Sequence, residues 1–185
     1  MFPRITQYAH QLLQSRIKVG DWVIDATMGN GHDTLFLAQL VGEVGKVYAF
    51  DIQTQALHNT NELLETYNLR HRVELFQQSH DRLHFPLSSI AAVVFNLGYL
   101  PGSDKTIATM PETTLKAIEN SLELLKVGGL VVLTIYWGHE QGQLEKEAVE
   151  KYVEGLSYPE YMVLRYQYVN PKNNPPFILA IERRK

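Results

Sequence analysis

Val23-Ile24-Asp25-Ala26-Thr27-Met28-Gly29-Asn30-Gly31-His32-Asp33-Thr34 carries an apolar strand through a turn with two glycines into the start of an apolar helix. Gly29 and Gly31 can take positive φ and, without a Cβ, let the backbone come close to a ligand. The first turn of the helix then offers N–H groups that have no partner within the helix. Asp51 follows 20 residues after Gly31, at the end of a second strand-like run, Lys46-Val47-Tyr48-Ala49-Phe50-Asp51. A carboxylate in that place can accept hydrogen bonds from both hydroxyls of a ribose. A glycine turn is common by itself; with an acid at this spacing it points to an adenosine cofactor.

Details of the loop narrow the choice. A dinucleotide fingerprint asks for a third glycine three residues after the second, where this chain has Thr34. A nicotinamide cofactor is therefore disfavoured. Asp25 lies inside the first strand, four residues before Gly29, where it can bind the turn's backbone N–H groups, face the positive end of a ligand, or do both. S-adenosylmethionine carries an ammonium and a sulfonium and no pyrophosphate, so an acid here suits it better than a dinucleotide.

The rest of the chain bounds the function. Its 185 residues suit one domain, taken as 1–185, with a substantial core, and 45% hydrophobic with 20% charged residues are ordinary globular values. With no cysteine there is no disulfide framework, thiolate metal site or thiol nucleophile. Met1-Phe2-Pro3-Arg4-Ile5 lacks the apolar block of a signal peptide, and no run reaches the roughly 20 apolar residues of a membrane span. A cytoplasmic protein without membrane contact is expected. Net charge is −3; residues 140–160 hold six acids and two lysines, which leaves the remainder at +1. Basic clusters at Arg16/Lys18, Arg70/His71/Arg72 and Arg183/Arg184/Lys185 permit an RNA partner without arguing for one.

Ile5, Tyr8, Ala9, Leu12, Leu13 and Ile17 share one face at helical spacing, so a helix over 5–17 precedes the first strand. Strands over 22–27, 46–51, 72–77, 91–97 and 130–136 then interleave with helices over 33–41, 53–67, 112–126 and 140–154. This alternation predicts a doubly wound parallel sheet, with Gly128-Gly129 stopping the helix before the fifth strand. Strands near 161–169 and 177–183 are joined by a segment too short for a crossover helix, so they pair antiparallel. The fold class is α/β: a mostly parallel seven-stranded Rossmann-like sheet with an antiparallel last strand and an extra N-terminal helix.

Three later segments carry a resemblance: Asn96-Leu97-Gly98-Tyr99-Leu100-Pro101-Gly102-Ser103-Asp104-Lys105 after the fourth strand, Tyr136-Trp137-Gly138-His139-Glu140-Gln141-Gly142 after the fifth, and Asn174-Pro175-Pro176-Phe177 opening the last. With the glycine loop they resemble, over essentially the whole chain, the small bacterial Rossmann-like methyltransferases labelled as rRNA methylases. That resemblance implies S-adenosylmethionine as cofactor and methylation of the aminomethyl group on a tRNA wobble uridine, 5-aminomethyl-2-thiouridine. The alternatives are methylation of rRNA or a small molecule, or a module that binds a nucleotide without catalysis.

The resemblance also implies roles. Asn96 and Tyr99 stand where amino-group methyltransferases of this fold carry an Asn/Asp-Pro-Pro-aromatic motif that holds the amine and stacks on the base; Leu97-Gly98 replaces Pro-Pro here. The expected cofactor contacts are Asp25, Thr27, Gly29, Asn30, Gly31, His32, Asp33, Asp51, Gln53 and Asn96. Ser79, His80 and Asp81, past the third strand, are expected beside the adenine. His139 is the candidate general base, with Tyr136 shaping the same wall, although a surface histidine in a turn explains His139 equally well. Asp33 suits the helix dipole and can also lie near the reacting amine. His80 and His84 with Asp81 lack a further ligand, so no metal is expected. A homodimer is plausible from the apolar content of the helices.

Overall fold

The structure, a computed structural model, describes residues 1–98 and 109–185. Among the described residues five α-helices, α1 (Ile5–Arg16), α2 (His32–Val41), α3 (Thr54–Thr66), α4 (Pro111–Leu124) and α5 (Glu140–Glu154), flank seven strands. The strands are β1 (Trp22–Asp25), β2 (Lys46–Asp51), β3 (Val73–Gln77), β4 (Ile90–Leu97), β5 (Leu125–Ile135), β6 (Tyr161–Tyr166) and β7 (Phe177–Arg183). They form one sheet in the order β3-β2-β1-β4-β5-β7-β6. The first five strands are parallel, and β7 runs antiparallel to both β5 and β6. The last strand thus inserts between its two neighbours instead of closing the edge.

Alternation along each central strand divides the apolar side chains between two cores. Val23, Val47, Ala92, Val94 and Val132 pack on one face against Leu13 of α1, Leu37 of α2 and Leu64 of α3. Ile24, Phe50, Val93, Phe95 and Leu133 pack on the other against Ile118 of α4 and Val149 of α5. Both faces are covered, which is why the central strands read as continuous apolar runs. Helix α1 lies over β5, β4 and β7, on the face that α2 and α3 cover elsewhere. Its amphipathic stripe is matched to a place on the sheet left by the other helices.

Gly128-Gly129 does not stop a helix. Helix α4 ends at Leu124, and the glycines fall inside β5, where pairing jumps from Ile90 opposite Leu125 to Ala92 opposite Leu130. Gly128 sits at φ 80°, and a Cβ on Gly129 would meet the Lys126 and Ala91 carbonyl oxygens at 2.8 and 3.1 Å. The pair forms a bulge that lets the chain turn from α4 straight into the sheet. At the other end of the strands, the first βα turn and the segments after β2, β4 and β5 gather along one edge of the sheet. In an open α/β sheet that edge is where ligands bind.

Candidate functional site

The glycine turn is held from three sides. Gly29 takes φ 52° and Gly31 φ 82°. The Gly29 N–H donates to Asp51 Oδ2 at 3.1 Å, and its carbonyl accepts from the Thr60 hydroxyl at 3.2 Å. Asn59 donates to Asn30 Oδ1 at 2.9 Å. Gly31 caps α2, and a Cβ there would strike Thr60 Cα and Oγ1 at 2.9 Å. The loop is thus moulded on α3 as well as on β2, a partnership that the local motif does not reveal.

Behind the turn, Asp25 is wholly buried. It accepts from the Thr27 N–H at 3.2 Å and from the Thr34 hydroxyl at 2.6 Å. The residue in the third-glycine position therefore organises the strand's acid. Burial, reinforced by the charge of Asp33, pushes the Asp25 carboxyl up to about 7. Asp51, at the end of β2, accepts from Gly29 and, at 3.0 Å, from the Gln53 N–H; burial nevertheless raises it.

Asn96 is the next-to-last residue of β4. Its N–H donates to Thr27 Oγ1 at 2.7 Å, and its amide nitrogen Nδ2 donates to Asp33 Oδ2 at 2.6 Å. The other Asp33 oxygen meets His10 Nε2 at 2.6 Å. Burial pushes the Asp33 carboxyl up, but the hydrogen bonds from His10 and Asn96 and the nearby His10 and His32 outweigh it and hold the group below the usual carboxylate range. Tyr136, beside Gly98 at the end of β5, is raised by burial and by the charge of Asp33.

The turn after β3 comes to the same edge. Burial lowers His80; its Nδ1 faces the Ala26 carbonyl at 3.3 Å, and its ring meets Phe95 edge to face. With a neutral ring and Nδ1 donating, Nε2 carries a lone pair; it is buried and has no hydrogen-bond partner among the described residues. Asp81 is held low chiefly by a hydrogen bond from Ser79, and its Oδ1 is also buried without a partner among the described residues.

The structure brings together Asp25, Thr27, Gly29, Asn30, Gly31, Asp33, Asp51, Gln53 and Asn96, with Tyr136 adjoining through Asp33 and His80 through Ala26 and Asp51. His32 is exposed on the first turn of α2, and Ser79 and Asp81 lie in the turn with His80. Tyr99 lies outside the described residues. His139 has a different setting. It caps α5, its Nδ1 accepting from the Gly142 N–H at 2.8 Å, and the buried Glu145 of the same helix accepts from the Thr109 and Thr114 hydroxyls. In this cap Nδ1 is committed to the Gly142 N–H, so a proton-accepting role for a neutral His139 requires the cap to open. The Asp33 partner His10, a half-exposed residue on α1, gave no signal in the sequence.

A family model described as "Putative rRNA methylase" matches residues 47–182. The chain belongs to this family. It is 37% identical to the chloroplast "tRNA (mnm(5)s(2)U34)-methyltransferase" of Arabidopsis thaliana, over 97% of this chain and 70% of that protein. The crystal structure of a "putative rRNA-methylase" from Clostridium thermocellum superposes with a TM-score of 0.95 at 41% identity, covering 99% of both chains. SMU.1697c of Streptococcus mutans, a "putative methyltransferase" in complex with SAH, superposes with a TM-score of 0.88 at 40% identity, again covering 99% of both. A ubiquinone/menaquinone C-methyltransferase of Pseudoalteromonas translucida is 27% identical over 73% of this chain, which spans about half of that protein's length.

The methylase is S-adenosylmethionine-dependent, and the donor set fits that cofactor. Asp51 offers carboxylate oxygens at a strand end. Among the described residues His80 Nε2 and Asp81 Oδ1 are acceptors without a partner, of the kind an exocyclic adenine amine requires. Among the described residues no group of three metal-ligating side chains occurs and no helix is long and apolar enough to cross a membrane.

Proposed function

We propose that this methylase transfers a methyl group to the aminomethyl nitrogen of a tRNA wobble uridine. The observation that carries this is Asn96. Its amide nitrogen is committed to Asp33 and its backbone N–H to Thr27, so the amide oxygen, on the opposite side of the carboxamide, is the atom left for an acceptor amine's hydrogen. The identity of 37% to a tRNA wobble-uridine methyltransferase across 97% of the chain supports the same substrate.

The roles of the residues follow. Asp51 accepts the ribose hydroxyls, the Gly29–Gly31 turn gives the backbone a close approach, and His80 with Asp81 receives the adenine amine. S-adenosylmethionine supplies, when bound, a methyl on a sulfonium that needs no further activation. The protein's task is then orientation, a contribution that reaches roughly 7–11 kcal/mol in favourable intramolecular reactions. Asn96 turns the amine's hydrogens away from the line of attack, and Tyr136 forms the wall beside Gly98.

The test is to incubate the protein with S-adenosylmethionine and tRNA bearing unmethylated aminomethyluridine, then digest it and weigh the nucleosides. One added methyl on that nucleoside alone is the expected result. Methyl incorporation into rRNA instead, which the family description favours, would overturn the substrate; cofactor binding with turnover on neither would leave a binding module.

A further inference from the structure

We infer that helix α1 is part of the reacting site: His10 and Asp33 form a relay that locks the Asn96 side-chain amide with its oxygen toward the acceptor amine. This rests on the reading of Asn96 given above and adds the device that makes Asn96 competent.

A carboxamide rotates by half a turn at little intrinsic cost, and its two ends differ completely in chemistry, since one donates two hydrogens and the other only accepts. In the wrong orientation Asn96 would aim N–H groups at the amine's hydrogens. A carboxylate only accepts, so Asp33 Oδ2 at 2.6 Å from Asn96 Nδ2 enforces one orientation. Thr27 Oγ1, bonded to the Asn96 backbone N–H, fixes where the side chain starts.

Asp33 must itself be held, because a carboxylate free to swing would transmit nothing. Its second oxygen is taken by His10 Nε2 at 2.6 Å, and since Asp33 stays ionised the imidazole is the donor. The His10 ring lies flat on Phe36 of α2, with centroids 3.8 Å apart and planes 5° from parallel. Helix α1 is anchored at both ends: the Tyr166 and Tyr168 hydroxyls donate to the Pro3 carbonyl, and Arg16 pairs with Glu182 at 2.8 Å. A contact made only to dock α1 would not need to end on the carboxylate that holds Asn96. The groups facing Asp33 are His10 from α1, Asn96 from β4, Asp25 from β1, Tyr136 after β5 and His32 beside it in α2.

The test needs no RNA. Sinefungin resembles S-adenosylmethionine but carries an amine where the sulfonium and its methyl would be, so its affinity relative to S-adenosylhomocysteine reports on an amine acceptor beside the methyl position. Both affinities are measured by calorimetry in the wild type, Asn96→Ala, His10→Phe and His10→Gln. Phenylalanine keeps the stacking on Phe36 and loses the donor; glutamine restores an N–H at the distance of Nε2.

The wild type is expected to prefer sinefungin by about tenfold or more, as one charge-assisted hydrogen bond implies. Asn96→Ala should abolish the preference. His10→Phe should reduce it at least about fivefold with S-adenosylhomocysteine affinity unchanged, and His10→Gln should recover it. An unchanged preference in His10→Phe would overturn the relay while leaving Asn96 in place. An increased preference would overturn it too, because a released Asp33 would then be meeting the ligand's amine directly. Absence of wild-type activity on tRNA, by contrast, would sink the substrate and leave this ratio intact.

Discussion

Asp25 shows how one buried carboxyl is balanced between stability and use. Its folded pKa of about 7 lies above the ordinary 3.8, so the folded state holds a proton that the unfolded chain has lost. Stability from this group is therefore full below pH 4 and falls as pH rises toward 7, where Asp25 must ionise in a buried place beside Asp33. Asp25→Asn removes the titration while keeping an oxygen for the Thr27 N–H and an amide for the Thr34 hydroxyl. The cofactor-free variant should match the wild type near pH 4 and melt at least about 4 °C higher at pH 8, followed by thermal unfolding across that range. Asp51 is the opposite case, a carboxylate at a strand end to which the proposed function gives the ribose hydroxyls. Asp51→Ala should weaken S-adenosylhomocysteine binding by about 100-fold or more, the worth of two charge-assisted hydrogen bonds, and titration calorimetry reads it directly. Unaltered affinity would remove the ribose role.

Among the elements, the turn between β1 and α2 depends on α3. Gly31→Ala forces a Cβ onto Thr60 and strains a backbone at φ 82°. Stability should fall by about 2–4 kcal/mol, with cofactor affinity falling in parallel because the Gly29 carbonyl is bonded to the same Thr60. Denaturant unfolding and calorimetry on the same sample test both. Helix α5 teaches a related lesson about charge. Its sequence reads as an acidic surface, yet Glu145 is buried against two threonine hydroxyls, and Glu150 pairs with Lys146 and with Arg165 of β6. Formal charge along a helix does not say which carboxylates face water.

For the whole molecule, topology sorts the basic clusters. Arg16 and Lys18 precede β1, Arg70–Arg72 precede β3, and Arg183–Lys185 end the antiparallel β7, so all three lie at the edge opposite the glycine turn. Several are already matched, Arg16 with Glu182 and Arg72 with Glu43. If a tRNA base enters over the strand carboxyl ends, reversing the exposed Lys18, Arg184 and Lys185 to glutamate should leave the KM for tRNA within about twofold and the salt dependence unchanged, since every phosphate these side chains neutralised would add about one to that slope. A raised KM would place the RNA across the far edge. Steady-state methylation at several salt concentrations decides between them.

The strand and helix sequence, the antiparallel final pair, the glycine turn and the Asp51 partner were all legible in the chain, because periodicity, glycine conformation and spacing act over a few tens of residues at most. What the tertiary structure alone decided is where distant segments meet. Insertion of β7 between β5 and β6, the bulge at Gly128-Gly129 and the cap made by His139 depend on pairing and packing that no local pattern encodes. His10 and Asp33, 23 residues apart and drawn to 2.6 Å by the docking of α1, are the clearest example. A half-exposed histidine on an amphipathic helix looks like surface until the sheet brings a carboxylate to it.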